Sequence, residues 1–142
     1  MSTEYFLSKK NTINLYKKIT EKDNTIFDLD KAQKQEIVNI IKSSKLQDRI
    51  TLHPSNEDPA QCLNNSDVYM LLSKGEALPL GPLEAMACGL MVVSTNVGGI
   101  PYLLEDKITA LLVPPKNPPA IADAIQRLLT DQDLAQSLVK NA

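Results

Sequence analysis

Glu76 and Glu84 have seven residues between them, Ala-Leu-Pro-Leu-Gly81-Pro82-Leu, and the run continues through Ala-Met-Ala-Cys88 to Gly89. Gly81 is expected as the N-cap of a short helix and Pro82 as its first residue, a place where a missing N–H costs nothing; Gly89 supplies the stop after about two turns. The first N–H groups of such a helix and the positive end of its dipole attract an anion such as a diphosphate. Glu84, one turn in, is placed to accept two hydrogen bonds from a ribose diol, while Glu76 reaches in from the preceding loop. Together these are the parts of a nucleotide-sugar site. The spacing alone is equally that of two surface carboxylates at a helix start, where negative charge is favoured in any case.

The elements that must position this pair follow from the apolar pattern. Ile37, Ile40 and Ile41 mark one stripe of a helix over 31–45, and Arg49–Leu52 reads as a short strand. A helix is expected over Asn56–Asn64. The continuous apolar runs Val68–Leu72, Met91–Ser94 and Ala110–Val113 read as strands buried on both faces of a parallel sheet. Asn117 caps a helix with Pro118 at its first position, carrying Ile121, Ile125, Leu128 and Leu129 inward, and a last helix covers Leu134–Lys140. Strands alternating with helices imply an α/β fold, a Rossmann-like open parallel sheet with helices on both faces. Ligands of such sheets bind beyond the carboxyl ends of the strands, and the Glu76 loop is a strand-to-helix turn of that kind. All five glycines fall between Gly75 and Gly99 and none of the nine prolines precedes Pro54, so special backbone conformations gather around the proposed site.

Composition sets the outer bounds. A chain of 142 residues reads as a single domain over 1–142 and buries roughly 68–70% of its unfolded surface without a staple. A net charge of −2 argues against an electrostatic nucleic-acid partner, although nine of the thirteen lysines precede Gln47. Cys62 and Cys88 follow no metal or redox spacing and are expected as buried, reduced thiols. No metal cluster is visible, and no run approaches about 18 apolar residues. The chain therefore reads as cytoplasmic with no transmembrane segment; peripheral attachment to a membrane is compatible with the same composition.

Five blocks, in order, carry a family resemblance: Ser66-Asp-Val-Tyr-Met-Leu-Leu-Ser73, the Glu76–Gly89 run, Val92-Val-Ser-Thr-Asn-Val-Gly-Gly-Ile-Pro101, Leu111-Leu-Val-Pro-Pro115, and Asn117-Pro-Pro-Ala-Ile-Ala-Asp-Ala-Ile125 with the final Asn141-Ala142. The sequence resembles the C-terminal, donor-binding domain of retaining glycosyltransferases of the GT-B fold, most closely glycosyltransferase family 4. Residues 36–142 match well and 1–35 poorly. The resemblance implies transfer of a sugar from a nucleoside-diphosphate sugar to a carbohydrate or lipid-linked acceptor with retention, and an N-terminal Rossmann-like domain, in cis or in trans, as the other half of the site. It implies Glu76 as the catalytic carboxylate touching the donor sugar's hydroxyls. Donor-binding positions are then Glu84, the backbone near Leu80 and Gly81, Lys10 and Ser55. No cofactor or metal is implied.

The sequence also departs from the family. Its first part should carry a Gly-Arg…Lys loop that grips the diphosphate and a strand ending in Gly-x-Gly; Leu7-Ser-Lys9-Lys10-Asn11 and Thr25–Asp30 stand in their place without an arginine or a glycine. Lysine replaces the arginine fork only as a point charge. Lys107 and Ala110 replace a glycine pair around a turn, and a lysine in the left-handed region there costs on the order of 1 kcal/mol. His53 is either a nucleotide-base contact or an ordinary turn residue before Pro54, and Gly98-Gly99 either a donor contact or a plain turn. These departures keep a second reading in view, a diverged, catalytically inactive module for a nucleotide or a protein partner. A dinucleotide oxidoreductase is disfavoured because no two glycines have G-x-G spacing.

Overall fold

The computed structural model describes residues 4–7, 13–16, 31–45, 50–52 and 59–142. Its elements are β1 (Glu4–Leu7), β2 (Ile13–Tyr16), α1 (Lys31–Ser43), β3 (Ile50–Leu52), α2 (Pro59–Asn64), β4 (Val68–Leu71), α3 (Gly81–Ala87), β5 (Met91–Thr95), α4 (Ile100–Leu103), β6 (Leu111–Val113), α5 (Pro118–Thr130) and α6 (Gln132–Asn141). One six-stranded sheet runs in the order β3-β2-β1-β4-β5-β6.

The parallel part of the sheet is as the apolar runs require. β4 pairs with β5, Val68 opposite Met91, and β5 with β6, Val93 opposite Leu111, both in parallel. β2 and β3 are parallel as well. β1 runs antiparallel to both its neighbours, β2 and β4, so the whole sheet is mixed. The sequence pattern assigns no strand to 4–7 or 13–16. Only five residues separate these two strands, too few for the crossover of a dozen or more that a parallel pair needs, so they pair antiparallel. Lys10 and its basic loop, the expected strand over Thr25–Asp30, and His53 and Ser55 lie outside the described residues.

Helices cover both faces of the parallel part. Because side chains alternate along a strand, Tyr69 and Leu71 of β4 join Val92, Ala85, Ile100, Cys62 and Leu63 beneath α2, α3 and α4. Val68 and Met70 point the other way and pack with Val93, Leu111 and Val113 against Ala124 and Leu128 of α5 and Leu138 of α6. Every β4 side chain is therefore buried, which explains its unbroken apolar run.

Local signals terminate the elements as the sequence dictates, with a few differences. Asn117 accepts a hydrogen bond from the Ala120 N–H at 3.2 Å and caps α5, and Asp131 does the same for α6 from Leu134 at 3.0 Å. After α3, Gly89 takes φ +75°; its N–H donates to the Met86 carbonyl and that of Leu90 to Ala85, a Schellman closure with Leu90 and Ala85 both in the core. Lys107 occupies the left-handed region at φ +63°, the strained turn position anticipated above. Ile40 is 58% exposed and so is Leu129, so neither belongs to the buried stripe of its helix; Ile41 and Leu128 do. Both cysteines are free thiols, Cys62 buried, but Cys88 exposed, because it follows α3 as the C-cap instead of lying on its inner face.

Candidate functional site

The loop from Leu72 to Leu80 leaves the carboxyl end of β4 and carries Glu76 half-buried at its middle. Two contacts fix that residue. The Ser73 hydroxyl donates to Glu76 Oε1 at 2.5 Å, an O–H to carboxylate bond at the short end of its range. The Glu76 carbonyl accepts from the Gly99 N–H at 2.9 Å. Ser73 is itself held, since Thr95 Oγ1 donates to its carbonyl at 2.7 Å while Ser94 Oγ reaches the Leu71 carbonyl at 3.2 Å. Ser73, Ser94 and Thr95 are all buried. The ends of two neighbouring parallel strands thus become one hydrogen-bonded frame under the Glu76 loop.

Gly98 and Gly99 complete the frame by close approach. A Cβ on Gly98 would run into the Glu76 carbonyl, and one on Gly99 into that of Ala77. Gly98 also has φ +54°, which L side chains rarely adopt. The structure shows a backbone packing role at this turn: these glycines let the loop after β5 press main chain to main chain against the loop after β4.

Beyond that loop, α3 begins one residue earlier than its punctuation implies. Leu80, with φ −84° and ψ −25°, is the N-cap, Gly81 the first helical residue and Pro82 the second. The Leu80 carbonyl accepts the first i to i−4 bond, from the Glu84 N–H at 3.0 Å, which sets the boundary. Leu80 caps with no side-chain hydrogen bond, and helix-start N–H groups have no partner within the helix. Gly81 and Pro82 are buried, whereas the side chains of Leu78, Leu80, Leu83 and Glu84 are exposed. Glu76 and Glu84 therefore bracket the start of α3, one from the braced loop and one from the helix's first turn. Among the described residues no cluster of three or more His, Cys, Asp or Glu side chains is arranged to hold a metal ion, and no helix is long and apolar enough to cross a membrane.

Sequence reasoning missed Ser73 and Thr95. Their signal was the hydroxyl pair Ser94-Thr95 closing an apolar strand, and Ser73 just past another: polar groups at the carboxyl ends of buried strands must find partners.

Helices on both faces of the parallel strands, and paired glutamates around the strand-to-helix turn at their carboxyl edge, are the arrangement expected of the C-terminal domain of a GT-B glycosyltransferase. The family model described as "Glycosyl transferases group 1" matches residues 8–142, and the chain belongs to that family. The chain is 33% identical over 106 residues to the N-acetyl-alpha-D-glucosaminyl L-malate synthase of Bacillus anthracis, covering 75% of this chain and 28% of that protein. Its fold matches sucrose-phosphate synthase from Thermosynechococcus elongatus with a TM-score of 0.73 and 31% identity, covering 90% of this chain and 31% of the other. It also matches the C-terminal domain of a glycosyl transferase group 1 family protein from Francisella tularensis, with a TM-score of 0.70, 29% identity and coverage of 81% and 60%. The chain thus spans less than a third of the full-length relatives it resembles.

Proposed function

We propose that this chain is the donor-binding part of a glycosyltransferase that moves a sugar from a nucleoside-diphosphate sugar to a carbohydrate or lipid-linked acceptor with retention at the anomeric carbon. The observation that carries this reading is the fixed Glu76: its carboxylate is bound by buried Ser73 and its main chain by Gly99, at the edge of the sheet where ligands of such folds bind. In this reading Glu76 is the catalytic carboxylate, touching the sugar's hydroxyls, and Glu84 accepts from the ribose diol. Backbone N–H groups near Leu80 and Gly81 take up charge on the departing diphosphate, an electrostatic contribution that commonly dominates such reactions. Lys10 and Ser55 complete the donor contacts. No metal is needed, since helix-start amides meet the leaving group's charge. The acceptor is held by an N-terminal Rossmann-like domain, in cis or in trans, because transfer needs the acceptor oxygen positioned in a water-excluded cleft and one domain offers one wall. A cytoplasmic address suits the cytosolic supply of activated sugars.

Thermal denaturation with UDP, GDP and ADP and with their glucose or mannose conjugates tests the reading. A ligand at a hundredfold excess over its dissociation constant adds about 2.7 kcal/mol, a rise of roughly 5–10 °C for a domain of this size. No rise with any of them at millimolar concentration contradicts it. That result would favour the second reading, an inactive module, for which the missing arginine in residues 1–35 is the supporting observation.

A further inference from the structure

We infer that Ser73 is the positioning residue for the Glu76 carboxylate, the group that sets how much of the donor's affinity comes from its sugar rather than from its nucleotide. The inference rests on the donor-binding reading above. A glutamate in a loop has three rotatable side-chain bonds, and ordering it on a ligand costs entropy at the moment of binding unless it is ordered beforehand. Ser73 does that ordering. Ser73 is 1% exposed, so its single hydroxyl proton has little access to water, and it is committed to Glu76 Oε1 at 2.5 Å. The main chain of the serine is fixed as well, because its carbonyl accepts from Thr95 Oγ1, on the next strand, at 2.7 Å. With Oε1 anchored, the carboxylate keeps acceptor capacity on Oε2. The Gly99 N–H on the Glu76 carbonyl restrains the main chain of the same residue, so the side chain and the backbone are held by separate elements. Ser73 acts on the donor only through Glu76.

The distinctive consequence is a split between two ligands that share a nucleotide. Calorimetric titrations of the full 142-residue chain with UDP and UDP-glucose, and with GDP and GDP-mannose, give for each pair the ratio of affinities that the sugar contributes. Ser73→Ala should reduce that ratio about three- to tenfold, the range for a lost hydrogen bond, with affinity for UDP or GDP alone unchanged. Its melting transition should stay close to the parent's, because the Thr95 bond goes to the Ser73 main chain and survives the substitution. In the Glu76→Ala background, which removes the carboxylate, Ser73→Ala should add much less than it does alone, since the group that the serine positions is then absent. Additive effects in this cycle, or an unchanged ratio in Ser73→Ala, would overturn the inference while leaving the donor-binding reading in place. A Ser73→Ala chain that loses UDP and UDP-glucose in equal proportion would mark the serine as a fold residue and also overturn it. A parent chain that binds none of the four ligands would remove both.

Discussion

Glu76 and Glu84 reach the same helix start by different means, and the difference decides how each should respond to substitution. Glu76 is held by a buried hydroxyl and a neighbouring loop, so its geometry depends on residues far along the chain. Glu84 takes its place in the first turn of α3 from the register of that helix, and it is exposed. Glu84→Gln keeps the shape and removes the charge. Affinity for a nucleoside diphosphate should fall by about 1.5–3 kcal/mol, the range for hydrogen bonds to a charged group, with the melting temperature essentially unchanged; equal affinities for mutant and parent in calorimetry would show that Glu84 does not touch the ligand. The glutamate pair was legible in the sequence because Gly81, Pro82 and Gly89 punctuate the helix between and after them. Ser73 and Thr95 were not, because the bond that joins them spans 22 residues and no local pattern announces it.

At the level of elements, the site depends on two loops at the carboxyl ends of β4 and β5 touching along their backbones. Gly99 has an ordinary φ of −79°, so its glycine is required by space, not by conformation. Gly99→Ala would push a methyl group into the Ala77 carbonyl, and a shift of main chain against main chain should cost about 1–3 kcal/mol. Urea denaturation should show that loss, accompanied by weaker nucleotide-sugar binding because the Glu76 loop is displaced. Stability equal to the parent's would mean that the two loops do not pack as described. The apolar runs of β4, β5 and β6 announced themselves because these strands are buried on both faces. β1 and β2 did not, since their order in the sheet follows from a short connection and from pairing with β4, a partner more than sixty residues away in the sequence. The start of α3 was misread by one residue because Gly81 fits equally well as a cap or as a first helical residue, and only the Glu84 to Leu80 bond separates them.

At the scale of the whole molecule, the central claim is that the carboxyl edge of the sheet is the donor-binding face. The two edges are easily told apart: Ser73, Glu76, Leu80, Gly81, Glu84, Asn96, Gly98 and Gly99 lie beyond the carboxyl ends of β4 and β5 or just after them, whereas Asn65, Ser66 and Asp67 precede β4, and Gly89 and Leu90 precede β5. Backbone amide shifts of the 15N-labelled chain, followed by NMR during titration with UDP-glucose or GDP-mannose, report on both edges at once. The account predicts saturable shifts concentrated between Ser73 and Glu84 and between Asn96 and Ile100. Shifts concentrated at Asn65–Asp67 and Gly89–Leu90 instead, or none at either edge at millimolar ligand, would contradict it.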